Sequence, residues 1–319
     1  MKRYTYGIFI LFLTSLVACT PKQKTSPNII FIMSDDHASK AISAYDTSLL
    51  QTPNIDRLAE GGILFNNCFC TNAICAPSRA VVLTGKYSHL NGILDNSRPF
   101  DGSQQTLPKI LQKAGYQTAI VGKWHLKSEP TGFDQWLVLP GQGEYYHPDF
   151  IGPEGRIAIE GYVTDIITDK GIEFLENMDE DKPFFMMLHH KAPHRNWQPA
   201  IRDLTRHEGT NFPIPHNLHD DYSGRSIASR EQEMSISEHM SMDYDLKMKE
   251  GLITGKDTNR ELLFNNSWGD PEKRMTADDY KIWKAHYLKR AHEYNELPSD
   301  PVLIDEWKYT QYLEDYLSC

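Results

Sequence analysis

The sequence predicts an α/β fold with a largely parallel sheet flanked by helices. Continuous apolar runs such as "NIIFIM" (28–33) and "PFFMMLHH" (183–190) lack polar alternation, as strands buried on both faces require. Segments with helical periodicity stand between such runs, and Gly, Pro and cap residues punctuate the alternation. With 319 residues, 40% hydrophobic and 11% aromatic, the chain can bury a sizeable core, which excludes disorder throughout. A net charge of −10 argues against a nucleic-acid partner and serves solubility.

The elements follow in order. Lys2 and Arg3 precede an apolar run at 7–18 that is too short to span a bilayer and has the layout of a secretory signal. It ends Leu16-Val17-Ala18-Cys19, which resembles a bacterial lipobox. Residues 1–19 then read as a lipoprotein signal peptide with Cys19 lipidated, and 20–27 as a polar tether. The expected location is lipid-anchored, in the bacterial periplasm or at the cell surface. The first strand, 28–33, stops at Ser34-Asp35-Asp36. "TPNIDRLAEGG" reads as a helix with Thr52 as cap, Pro53 in its first turn and Gly61-Gly62 as its stop. "ILFNNCF" is a second strand candidate. Its Cys68 and the following Cys70 would face one side of an extended segment, as core residues or as disulfide partners.

Leu107 to Ala114 predicts a helix ended by Gly115, "YQTAIVGKWHL" a strand, Tyr162 to Met178 a helix, and 183–190 a buried strand. Residues from about 198 to 274 form a polar insertion with little periodicity, expected as a surface lid. Met275 to Tyr294 predicts a helix with Thr276 near its cap, and Ser299-Asp300-Pro301 opens another. In that last helix Tyr309, Tyr312, Leu313, Tyr316 and Leu317 form a stripe that runs to Ser318-Cys319 with no glycine, proline or basic last turn to close it.

Chemistry concentrates at "CAPSRAVVLTG". Pro77 suits the first turn of a helix and Gly85 its end, so Cys75 sits at a helix N-terminus. Free N–H groups and the dipole favour an anion there, and Arg79 one turn on adds permanent positive charge. Position alone leaves a buried structural cysteine equally open. The pattern Cys75, Pro77, Ser78, Arg79, Leu83, Thr84 and Gly85 resembles the signature of the type I, formylglycine-dependent sulfatases. The resemblance implies an alkaline-phosphatase/sulfatase-like fold, covering 28–319 and lacking its C-terminal part. It implies that Cys75 is oxidised by a maturation enzyme to Cα-formylglycine. One hydroxyl of the hydrated aldehyde would attack the sulfur of a sulfate ester, and the other would lose its proton as the carbonyl re-forms and expels sulfate.

The same resemblance assigns further roles. Asp35 and Asp36, with the hydrate at Cys75, would hold Ca²⁺ or Mg²⁺, as hard oxygen ligands suit; adjacent residues share one ion only if the strand ends between them, and Ser34 onward reads that way. Lys123 would neutralise a sulfate oxygen, and His125 would contact the hydrate as base of the elimination. Strand alternation predicts that these two face one side and Trp124 the other. His194 would contact the sulfate ester and protonate the leaving oxygen. His189 and His190 read as structural. "LPGQGEYYHPDF" and "HHKAPHRNW" look most like bacterial sulfatases of amino-sugar 6-O-sulfates, similar to N-acetylglucosamine-6-sulfatases. A further Asp-Asn or Asp-Gln pair and a second late lysine have no convincing match: Asp305-Glu306 falls on a predicted helix, and Asp270 precedes Pro271 in the insertion. The chain alone is therefore expected to bind metal weakly and to turn over slowly or not at all. Two other functions stay open: a related phosphate or phosphonate ester hydrolase, and an inactive glycan-binding lipoprotein.

Overall fold

The computed structural model describes residues 26–249, 252–253 and 273–319. The signal peptide, Cys19, most of the tether and Asp270 lie outside the described residues. Among the described residues, no helix is long and apolar enough to cross a membrane.

One six-stranded sheet organises the chain, in the order β1-β6-β2-β3-β4-β5. Its strands are β1 (Ile29–Met33), β2 (Gln117–Lys123), β3 (Gln135–Leu139), β4 (Asp149–Gly152), β5 (Gly155–Ala158) and β6 (Phe184–His189). β1, β6, β2 and β3 run parallel, while β4 and β5 add an antiparallel hairpin, so the sheet is mixed but largely parallel. The register pairs both Met33 and Gly122 with His189, which aligns the carboxyl ends of β1, β6 and β2. In open α/β sheets that edge is where ligands bind. Gly122 is required in this place: with φ 101°, a Cβ there would lie 1.9 Å from the His189 carbonyl oxygen.

Side-chain alternation splits the core between the two faces. Ile120, Phe185 and Met187 pack against Ala76, Ala80 and Leu83 of α2 (Cys75–Thr84). Val121 and Leu188 pack on the other face against Val163 and Ile167, which belong to α5 (Val163–Asn177). Between these come α1 (Pro53–Gly61), α3 (Ser88–Asn91) and α4 (Leu107–Lys113). The helices expected at 53–61, 107–114 and 162–178 are therefore present within a residue or two of their expected ends.

Three expectations differ from the structure. β1 is an edge strand with Ile30 and Ile32 exposed, so it is covered on one face only among the described residues. "ILFNNCF" forms no strand; it runs irregularly on the surface with Phe65 and Phe69 exposed, because no strand of the described sheet pairs with it. Cys68 and Cys70 are consequently exposed free thiols, neither core nor disulfide.

The insertion carries two short helices, α6 (Ile227–Arg230) and α7 (Ile236–His239), and a buried knot of Met242, Leu246 and Met248. That knot packs on Ala291, Tyr294 and Ile304 of α8 (Ala277–Glu296) and α9 (Pro301–Ser318). Thr276 caps α8 by accepting from the Asp279 N–H, and Asp300 caps α9 by accepting from Val302 and Leu303. The aromatic stripe of α9 is used: Tyr312 and Tyr316 pack their rings against Trp197.

Candidate active site

Cys75 is the first residue of α2, with Ile74 as the extended N-cap and Gly85 ending the helix at φ 65°. The Ala76 N–H is satisfied from outside the helix by Asn96 Oδ1 at 3.0 Å. The residues that converge on Cys75 come from the carboxyl ends of three strands. Lys123 Nζ lies 3.9 Å from the Cys75 sulfur, and His194 Nε2 lies 4.0 Å from it. Asp35, two residues beyond β1, is ion-paired through Oδ2 to Lys123 and, at 3.3 Å, to Arg79. The turn that follows leaves the strand: Asp36 has φ 57°, and its Oδ2 reaches 3.5 Å from His194 Nε2. Both carboxylates can thus aim at one place because the strand ends at Met33, which removes the alternation that would separate them.

Behind this front lies a buried tether. Arg79 is 3% exposed and donates to the Lys123 carbonyl as well as to Asp35. His189 Nδ1 also reaches the Lys123 carbonyl, at 3.1 Å. Arg79 therefore serves to hold Asp35 and the end of β2, and its guanidinium does not face the cleft alone. His189 is structural, as expected, but it sits against the site.

β2 ends at Lys123, and His125 follows in a turn at φ 55°. Trp124 does enter the opposite core with Phe133. His125 nevertheless feels the charges of Lys123, Arg79 and Asp35, and its Nδ1 is buried without a hydrogen-bond partner among the described residues.

Sequence reasoning passed over Lys191. It is 4% exposed, and its ammonium stands 4.7 Å from the centre of the Tyr145 ring, whose hydroxyl donates to the His194 carbonyl at 2.7 Å. The signal was present in "HHKAPH": a lysine directly after a fully buried strand lands at the strand's carboxyl end.

The electrostatics follow from burial and cation excess. Burial opposes ionisation of Asp35, but the charges of Lys123 and Arg79 outweigh it and hold the carboxyl below its usual range. Burial, then the neighbouring Asp35 charge, push Asp36 up. Burial and the Lys123 and Lys191 charges pull His194 down to about 4, and burial with Lys123 and Arg79 does the same for His125. Burial, with Lys123 next, brings Lys191 down to about 8. The Cys75 thiol is pushed up: burial raises it, and Asp35 and Asp36 offset part of what Lys123 contributes in the other direction.

A cleft of about 570 Å³ opens over the group, with Asp36, Cys75, Arg195, Trp197, Ile236 and Tyr312 in its walls. Arg195 is fixed there by a two-pronged pair with Asp245. Donor atoms of Asp35, Cys75 and His194 lie within 4.8 Å of one another. The hydrogen bonds and ion pairs found on the Asp35 carboxylate all fall on Oδ2, which leaves Oδ1 for a ligand. Asp36 stands beside this group rather than in it, with its Oδ2 3.5 Å from His194 Nε2, and the two carboxylates would supply only part of the six to eight oxygens that Ca²⁺ takes.

The carboxyl edge of a largely parallel sheet thus gathers Lys123, Lys191 and the buried Arg79 with Asp35 and Asp36 beside the N-terminus of α2. The sulfatase family pattern matches residues 27–245, and the chain belongs to that family. It is 51% identical over 310 residues to an N-acetylglucosamine-6-O-sulfatase of Bacteroides thetaiotaomicron, covering 95% of this chain and 54% of that protein. It is 30% identical over 220 residues to human N-acetylglucosamine-6-sulfatase, covering 59% of this chain and 39% of that one. A solved structure in complex with its substrate D-glucosamine-2-N,6-O-disulfate superposes with a TM-score of 0.83 at 52% identity, over 92% of this chain and 58% of that one. The chain thus spans 39–58% of the length of these relatives.

Proposed function

We propose that this chain acts in a sulfuric ester hydrolase that removes 6-O-sulfate from a sulfated glucosamine, with Cys75 converted to formylglycine. The observation that carries the reading is the convergence on residue 75: it opens a helix at the carboxyl edge of the sheet, with Lys123 Nζ 3.9 Å and His194 Nε2 4.0 Å from its side chain and with Asp35 paired to Lys123 behind it. A reacting group at that carbon would meet a cation for developing negative charge and a proton carrier together. The relatives named above supply the substrate class.

As a hydrated aldehyde, residue 75 would supply one hydroxyl to the sulfur and a second to release the sulfo group. A divalent cation held by Asp35 and Asp36 would draw charge from the sulfate oxygens. The chain's own groups do the rest. Lys123, fixed by Asp35, presents an ammonium to a sulfate oxygen. Arg79 and His189 hold Lys123 in register by its carbonyl. His194 is kept neutral by burial and by Lys123 and Lys191; an arriving anion cancels their field and raises its proton affinity, so that it can hand a proton to the leaving oxygen. His125, neutral and with an unpaired Nδ1, is the base available for the second step.

Sulfate release from 6-O-sulfated N-acetylglucosamine, assayed beside an aryl phosphonate, tests the reading. Release from the sulfate ester alone is expected, at a low rate for this chain. Faster phosphonate hydrolysis would favour the phosphoryl alternative. The same reading places the chain at a membrane through Cys19; incorporation of labelled palmitate, lost in Cys19→Ala, is the expected result.

A further inference from the structure

Asp36 poses a packing problem. Its side chain is 59% exposed, and the one ion pair found on it among the described residues is with His194, so polar contacts hold its direction weakly. The backbone must do so, and that backbone is in the left-handed region, φ 57°, which a non-glycine residue occupies at a cost. Something has to hold the turn.

That something comes from the far end of the chain. The Tyr316 hydroxyl donates to the Asp36 carbonyl at 2.9 Å and accepts from the Ala38 N–H at 2.7 Å. It thereby closes the turn on both sides of His37. Tyr316 is itself held: its ring packs on Trp197 and Tyr312, with centroids at 6.3 and 5.6 Å. The preceding residue, Asp315, is bound by Arg290, Lys247 and Tyr287, which anchors α9.

We propose that Tyr316 is a positioning residue for Asp36: its hydroxyl locks the turn that aims the Asp36 carboxylate at His194. The aromatic stripe of α9 thus does more than fill a core. This rests on the sulfatase reading for its catalytic consequence, but not for its structural one. The Tyr316 hydroxyl acts through Asp36 and touches no reacting atom.

Tyr316→Phe tests it, because the ring and its packing remain while the bridge is removed. Two readouts are compared with the unaltered chain, and Tyr309→Phe, on the same helix, serves as control. The first is amide exchange of Ala38: an increase of about tenfold is expected, with the melting temperature unchanged. The second is turnover of a 6-O-sulfated glucosamine: kcat is expected to fall about tenfold with KM within about twofold. Tyr309→Phe changes neither. An unchanged Ala38 exchange rate overturns the proposal, as does a fall in kcat that only follows a fall in melting temperature. If the unaltered chain releases no sulfate, the exchange measurement alone decides the role of Tyr316, and the sulfatase reading is decided separately by whether residue 75 carries formylglycine.

Discussion

Two buried aspartates in this molecule are each clasped by one lysine and one arginine, and they have opposite uses. Asp315 lies between Lys247 and Arg290, with Tyr287 donating to the same carboxylate; both of its oxygens are bonded. Glu314, raised to about 7 by burial, stands beside the same arginine, so that network closes on itself. Asp35 lies between Lys123 and Arg79, but only Oδ2 is engaged, and the cluster faces a cleft with Cys75 and Asp36. Asp35 and Asp36 against Lys123, Arg79 and Lys191 leave a positive excess where a sulfate would arrive. The difference teaches that a buried ion cluster becomes a site when one valence and one charge are left open toward solvent.

That contrast can be broken by paired substitutions. Asp35→Ala should lower sulfate release by at least about 10³-fold while costing less stability than its counterpart, because water and Asp36 can reach the cations left behind. Asp315→Ala should cost about 3–5 kcal/mol in urea unfolding, since it strands two buried cations. Equal stability losses would erase the distinction between closed and open clusters. His194→Gln sharpens the open side: kcat should fall about 10²-fold with the fold intact, as loss of a proton donor predicts; an undiminished rate would remove His194 from the mechanism.

The smallest effect concerns pH. Burial, then the Arg79 charge, drive His189 down to about 3 from its ordinary 6.5. Below 6.5 the unfolded chain binds a proton that the folded chain refuses, so stability is full above 6.5 and falls as pH drops toward 3. Roughly 1–2 kcal/mol should be lost from this group between pH 6.5 and 5. His189→Gln should flatten that part of the urea-unfolding profile; an unaltered slope would mean that another group titrates there.

Local rules made much of this visible before the structure. Pro77 and Gly85 marked α2, and the stop of β1 at Met33 explained how two adjacent aspartates could serve one place. The helices were bounded by their own caps, such as Thr276 and Asp300. What stayed hidden depends on partners far away in sequence. The irregular run at 63–70 has strand composition but no strand beside it. The β4–β5 hairpin starts at the end of a segment noted only for its family likeness and runs on through residues for which no element was expected. The clamp on Asp36 joins residues 36 and 316, and the burial of Lys191 depends on Tyr145. Such pairings leave no period or spacing in the sequence.

The central claim is that residue 75 works as an aldehyde hydrate and not as a thiol. Mass spectrometry of the tryptic peptide containing Cys75, after production in a host with the maturation machinery, tests it most directly. The account predicts the mass of formylglycine at that position; an intact cysteine in a preparation that still releases sulfate would contradict it.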